Sequence, residues 1–113
     1  MKKIEAVIKP FKLDEVREAL AEVGVEGMTV SEVKGFGRQR GQDGGLNSSH
    51  DYDDEFRVKI KIELIIENKL VEKAIEAIKN AAYSGKIGDG KIFIYTIDQV
   101  IRIRTGEKDS DAV

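Results

Sequence analysis

Cysteine is absent from the 113 residues, which excludes disulfides, thiolate metal sites and thiol nucleophiles. Histidine occurs once, as His50, so a multi-histidine metal centre or a mechanism with two imidazoles has no material to draw on. Proline also occurs once, at Pro10. An excess of one charge is missing too. The 19 Lys and Arg stand against 21 Asp and Glu, and a net charge of −2 exerts no overall pull toward nucleic acid. No apolar run approaches the length of a membrane span. The opening Met1 to Pro10 is interrupted by Glu5 and Lys9, which does not suit a signal sequence. The expectation is one soluble, cytoplasmic domain over 1–113, large enough to bury its own core. Glycine, by contrast, is plentiful at 11 residues.

The apolar periods alternate between strand and helix. Ile4, Ala6 and Ile8 share one face of a strand over 3–9, which Pro10 closes. Leu13, Val16, Leu20 and Val23 then recur at helical spacing over 12–23, with Asp14 and Glu15 at the dipole-favoured end and Gly24 just past the last turn. A Val- and Thr-rich strand over 28–34 is ended by Gly35 and Gly37. From there to about Glu55 neither period survives, and connections of that length usually carry function. The next strand is the clearest: Phe56, Val58, Ile60, Ile62, Leu64 and Ile66 fall on one face, and Arg57, Lys59, Lys61 and Glu63 on the other. A helix over 69–82 follows, with Asn68 as N-cap, Val71, Ala74, Ile75 and Ile78 in its stripe, and Gly85 as its end. A glycine turn leads into a strand over 92–97, and Val100 to Thr105 reads as a short extra strand. The order β-α-β-β-α-β predicts an α+β, ferredoxin-like sandwich: a four-stranded antiparallel sheet with both helices on one face.

Four clusters could carry chemistry. In Gly35-Phe36-Gly37-Arg38-Gln39-Arg40-Gly41 the glycines permit close backbone approach to an anion, or simply a glycine-rich hairpin. Lys86-Ile87-Gly88-Asp89-Gly90-Lys91 reads either as an Asp-Gly turn or as a phosphate cradle flanked by lysines. It is not a P-loop, lacking the Gly-Lys-Ser/Thr ending and an ensuing helix. In Ile101-Arg102-Ile103-Arg104 a strand would point both forked guanidiniums one way and both isoleucines the other, for phosphate or as a solvated edge. The fourth cluster is the polar strand face of Arg57, Lys59, Lys61 and Glu63. Gly-rich backbone combined with cations in a near-neutral chain suggests a small polyanionic ligand more than nucleic acid. Catalytic residues are not evident, since no carboxylate pair sits in an apolar setting.

On these same residues the chain resembles the PII signal-transduction proteins of the GlnB/GlnK type. The resemblance runs through Met1 to Pro10, Gly27 to Val30, Val33 to Gln39, Lys59 to Glu63, Ser84 to Phe93 and Arg102 to Glu107, with Gly85-Lys86-Ile87-Gly88-Asp89-Gly90-Lys91-Ile92-Phe93 the most specific run. It implies a homotrimer with a nucleotide site in each cleft between subunits. ATP and ADP would compete there, and MgATP would admit 2-oxoglutarate. It also implies a long T-loop at about 37–56, a B-loop at about 83–91 and a C-terminal segment at about 98–113. Carried over by position, Gly35, Gly37, Arg38 and Gln39 form the T-loop base, with Gly37 and Arg38 near the phosphates. Gln39 helps hold Mg²⁺, and Gln39, Gly41 and Lys59 meet 2-oxoglutarate. Thr29 and Glu63 flank the adenine and ribose. Gly88, Asp89, Gly90 and Lys91 take the phosphates, and Arg102 and Arg104 reach them from the neighbouring subunit.

The loop from Gln42 to Glu55 departs from the family pattern. It carries five acidic residues and no Lys or Arg, and Ser48 and Ser49 replace the family's arginine and glycine. Tyr52 falls at the position that some bacteria uridylylate. His50, Asp51, Asp53 and Asp54 could bind a metal or form a solvated tip. The resulting expectation is a non-enzymatic regulator that controls an ammonium transporter, another membrane transporter or a metabolic enzyme of nitrogen metabolism through the T-loop. The alternatives are a specialised regulator of a non-ammonium transporter answering to adenine nucleotides only, or a slow ATPase.

Overall fold

A computed structural model describes residues 1–36 and 56–113. The elements are β1 (Lys2–Ile8), α1 (Leu13–Glu22), β2 (Thr29–Phe36), β3 (Phe56–Ile66), α2 (Val71–Ala82) and β4 (Lys91–Thr96). The sheet order is β2-β3-β1-β4, and every pairing is antiparallel. This is the ferredoxin-like α+β arrangement. Alternation decides which face is covered. Ile4, Ala6 and Ile8 of β1 and Ile62, Leu64 and Ile66 of β3 are buried beneath Val16 and Leu20 of α1 and Ala74, Ile78 and Ala82 of α2. At roughly 1.5–3 kcal/mol for each large aliphatic side chain removed from water, this layer dominates the favourable side of folding. The opposite sheet face carries Lys3, Glu5, Lys61 and Glu63 and has no element over it among the described residues.

Both helices begin differently from the expectation. Each is entered through a 3₁₀ turn, Pro10–Lys12 before α1 and Asn68–Leu70 before α2. Asn68 therefore sits inside the turn, and no side chain caps either start. The turn is closed instead by backbone, with the Leu70 amide donating to the Glu67 carbonyl at 3.0 Å. Gly24 does terminate α1, with φ +97 and its amide on the Ala21 carbonyl at 3.1 Å. Gly85 does not end α2. The helix stops at Ala82 and Tyr83 is extended, leaving Gly85 (φ +84) to shape the turn that follows.

The β2–β3 hairpin overshoots the core. Ile8 of β1 stands opposite Ile60, whereas β2 and β3 continue pairing through Lys34–Val58 and Gly35–Arg57 to Phe36–Phe56. β2 thus runs through Gly35 rather than stopping there. Val58, on the apolar face by period, is 43% exposed because no part of β1 lies beside it. The described extension carries Gly35, Arg57 and Lys59 away from the core; the side chain of Phe56 lies outside the description.

The C-terminal strand shrinks to one antiparallel bridge, Ile101 to Lys108. Gly106 adopts φ +76 and donates to the Arg102 carbonyl at 2.8 Å, and the Arg102 amide donates to the Glu107 carbonyl at 2.8 Å. The chain doubles back at 103–105, so Arg102 and Arg104 are not strand neighbours on one face. The expected opposite placement of the isoleucines fails with it: Ile103 is fully exposed and Ile101 about half so.

Candidate functional site

One end of the sheet holds an open groove of about 540 Å³. The β2–β3 extension forms one wall with Gly35, Arg57 and Lys59, and the turn before β4 forms the other with Lys86, Gly88 and Lys91. Among the described residues the one carboxylate in its lining is that of Asp89.

That carboxylate faces its own turn. It accepts from the Ser84 amide at 2.8 Å, the Gly85 amide at 2.9 Å and the Ser84 hydroxyl, and Lys9 Nζ lies 3.1 Å from Oδ1. These contacts hold the Asp89 carboxyl well below the usual carboxylate range. The Ser84 hydroxyl contributes most, then the Ser84 amide, with Lys9 and the Gly85 amide adding to them against the opposing effect of burial. Lys9 also donates to Ser84 Oγ at 3.1 Å. Asp89 is thus the hub of the turn and, in this conformation, has both oxygens occupied.

Gly90 lets the turn lie against β1. A Cβ there would stand 1.8 Å from the Val7 carbonyl oxygen, and φ is +102. Gly88 also has positive φ, at +98. Alternation of left-handed glycines with ordinary residues turns successive amides toward one side, the geometry of an anion nest. The amides of Ile87 and Gly88 meet no protein acceptor among the described residues. Gly35 is less constrained, since a Cβ would only touch the Lys59 stem at 3.8 Å.

Lys59 bridges the two walls, donating from Nζ to the Gly88 carbonyl at 2.8 Å. Its pKa is lowered by burial first, then by the charges of Lys9 and Arg57, with Asp89 pulling the other way. Mutual repulsion among these cations is the electrostatic mark of a groove that would gain from an anion.

Gly35, Lys59, Gly88, Asp89, Gly90 and Lys91 therefore come together. Thr29 and Glu63 face one another across β2 and β3 but stand four residues from Lys59, ~13 Å along the strand at ~3.3 Å per residue. Glu63 pairs there with Lys3 at 2.8 Å, and that hydrogen bond is the main reason its pKa is lowered and that of Lys3 raised. Lys3 also lies over the Tyr95 ring, 5.3 Å from its centroid. Arg102 engages Glu107 at 3.3 Å, and Arg104 is exposed; neither lines the groove. Gly37, Arg38, Gln39, Gly41 and Tyr52, with the His50–Asp54 tip, lie outside the described residues. Among the described residues no acidic or histidine cluster could hold a metal, and no helix is long and apolar enough to cross a membrane.

Sequence reasoning missed Lys9 and Ser84. Lys9 reads as the polar end of a strand and Ser84 as a loop residue. The available signal was a Ser-Gly pair after a helix with Asp five residues on, since short polar side chains in such loops commonly bond nearby amides.

A ferredoxin-like sheet with a cation-walled groove under a glycine turn defines the class of domain. The comparisons then define the family. A family model described as Nitrogen regulatory protein P-II matches residues 1–107. The chain is 62% identical over 113 residues to a Nitrogen regulatory protein P-II of Rhodospirillum rubrum, and 60% to one of Azospirillum brasilense. It is 56% identical to Nitrogen regulatory protein P-II 1 of Escherichia coli; all three pairs match over the full length of both chains. A crystal structure of Arabidopsis thaliana PII bound to citrate superposes with a TM-score of 0.81 at 38% identity, over 99% of this chain and 91% of that one. The chain belongs to the P-II family of nitrogen regulatory proteins, a family of signalling regulators rather than enzymes.

Proposed function

We propose that this chain is a signalling subunit that binds ATP or ADP in the groove under the 84–90 turn. Mg²⁺ and 2-oxoglutarate would join ATP there, and the occupied groove would set the conformation of the 37–56 loop toward a transporter or metabolic enzyme. The observation that carries the reading is the groove itself: among the described residues Lys59, Lys86, Lys91 and Arg57 line it beside the open amides of Ile87 and Gly88, while its one carboxylate is satisfied internally. Such a site favours a multiply charged anion. The Arabidopsis thaliana relative is bound to citrate, itself a multiply charged anion.

The groove as one chain forms it is open on one side. Three copies closing on one another would complete it with Arg102 and Arg104 of a neighbour. This assembly is supported by large apolar side chains left partly or wholly exposed: Ile101 and Ile103 beside those arginines, and Phe93, Ile94 and Tyr95 on the edge strand β4. Gln39 would hold Mg²⁺, and a 2-oxoglutarate carboxylate would compete with the Gly88 carbonyl for Lys59. A ligand with different affinities for two loop states shifts their populations by that difference.

Calorimetric titration tests this. Heat is expected with ATP and with ADP, and tighter 2-oxoglutarate binding when MgATP is present. Absence of binding at millimolar ATP would sink the reading. Loss of the 2-oxoglutarate response alone would assign the chain to regulators that answer to adenine nucleotides only.

A further inference from the structure

The turn that forms one wall of the groove is held in shape before any ligand arrives. We propose that Asp89 is a positioning residue and not a ligand contact. Together with Ser84 and Lys9 it forms a staple that presets the 84–90 turn, with its amides and flanking lysines turned to the groove. This deepens the nucleotide reading and rests on it for the identity of the ligand.

Three observations carry the inference. The first is saturation. The two oxygens of Asp89 meet four donors, namely the Ser84 amide, the Ser84 hydroxyl, the Gly85 amide and Lys9 Nζ. A carboxylate so occupied has little left with which to bind a ligand, and a bare one pointed at polyphosphate would repel it.

The second is connection. The Ser84 hydroxyl also accepts from Lys9 Nζ at 3.1 Å and from the Lys86 amide at 3.3 Å. The staple therefore ties the end of β1, the exit from α2 and the start of the turn to one point. Lys9 is more enclosed than Asp89, its side chain 12% exposed against 23%. The third is charge. Lys9 and Asp89 neutralise each other behind the turn, so Lys59, Lys86 and Lys91 keep their charge for the groove. Without Asp89, the Lys9 ammonium would stand uncompensated beside Lys59, whose pKa its charge already depresses.

Rigidity placed at the turn is affinity gained by the ligand, because ordering of a flexible loop no longer opposes binding. Asp89→Asn keeps the shape but loses the charge and one acceptor. Ser84→Ala removes the hydroxyl, and Ser84→Thr restores it. Two measurements decide the matter. Amide hydrogen exchange on the unliganded protein reads the turn itself: Ser84 and Gly85 should exchange faster in Asp89→Asn and Ser84→Ala, and as in the parent in Ser84→Thr. ATP calorimetry reads the consequence: each of the first two variants should bind about tenfold more weakly, and the double variant no more weakly than the worse single one, because the two residues act as one unit.

Unchanged exchange at Ser84 and Gly85 would overturn the staple, as would parental ATP affinity in Asp89→Asn. Affinity losses that add in the double variant would make Asp89 a separate ligand contact and refute the positioning role. If Asp89→Asn fails to fold, the Ser84→Ala and Ser84→Thr pair carries both measurements. If the parent does not bind ATP, the nucleotide reading fails while the exchange measurement still decides the staple.

Discussion

Two of the cationic segments read from the sequence are built in opposite ways. The 84–91 turn is internally determined: its one carboxylate is filled by its own amides, a serine and the lysine just past the end of β1, and Lys59 reaches across to tether Gly88. The 98–113 segment is tied mostly to itself. A bridge from Ile101 to Lys108 and the Arg102–Glu107 pair close a loop whose isoleucines face outward. One region is thus a finished surface, and the other has the character of half an interface. Fixed amides can be presented by one chain alone, while exposed isoleucines beside arginines gain most when another surface covers them.

Two glycines give the strongest way to break this comparison. Gly90 and Gly106 both have positive φ, at +102 and +76. A Cβ on Gly90 would stand 1.8 Å from the Val7 carbonyl oxygen, whereas one on Gly106 would meet nothing within 4 Å. Gly90→Ala should therefore force the turn off β1, costing roughly 3 kcal/mol, or about 10 °C in Tm, and should abolish ATP binding. Gly106→Ala should carry only the left-handed penalty of ~1 kcal/mol. Thermal unfolding of the two variants side by side checks this, and equal losses would erase the contrast between a crowded turn and an open one.

Acid provides a smaller perturbation. The folded-state pKa of Asp89 is lowered, chiefly by the Ser84 hydroxyl and amide. Such a carboxyl adds stability that is fully present above the unfolded carboxylate range, and the contribution is lost progressively as pH falls from that range to the lower folded value. The Ser84 and Gly85 amide resonances should accordingly hold their positions as pH is lowered through about 4, where an unperturbed aspartate takes up its proton. A titration of those resonances centred near the ordinary value would mean that the carboxylate is not held by the turn.

The sequence carried the architecture because alternation and helical spacing are local. Ile4, Ala6 and Ile8 or Ile62, Leu64 and Ile66 declare a buried face without reference to anything distant, and all six are buried. The same locality explains what misled. Val58 continues the apolar period of β3, but its exposure depends on where β1 ends, which is a tertiary fact. Arg102-Ile103-Arg104 has the pattern of a strand, yet Gly106 two residues on reverses the chain. Within the groove, the glycines and lysines of 86–91 were readable from the run itself. The direction of the Asp89 carboxylate was not. It depends on Lys9, 80 positions away in sequence, and on Ser84, whose hydroxyl has no preferred partner until the turn closes.

The finest test concerns a single exposed pair. Arg102 and Glu107 lie 3.3 Å apart with both side chains more than 40% exposed, and Glu107 also accepts from Thr105 Oγ1 at 2.8 Å. Surface pairs of this kind contribute about 0–1 kcal/mol, so Glu107→Gln should leave Tm almost unchanged. Its effect on ligand binding should have the opposite sign to that of Asp89→Asn. In the proposed assembly Glu107 would compete with a phosphate for the Arg102 guanidinium, whereas Asp89 would compete for nothing in the groove. Removing the Glu107 charge should tighten ATP binding by a few-fold, about the worth of one exposed charge contact, with the gain fading at high salt as screening grows. Calorimetry of Glu107→Gln at low and high ionic strength reads this directly. A weakening comparable to that of Asp89→Asn would mean that the C-terminal loop, like the turn, is preset by its own carboxylate, and the distinction between the two regions would no longer stand.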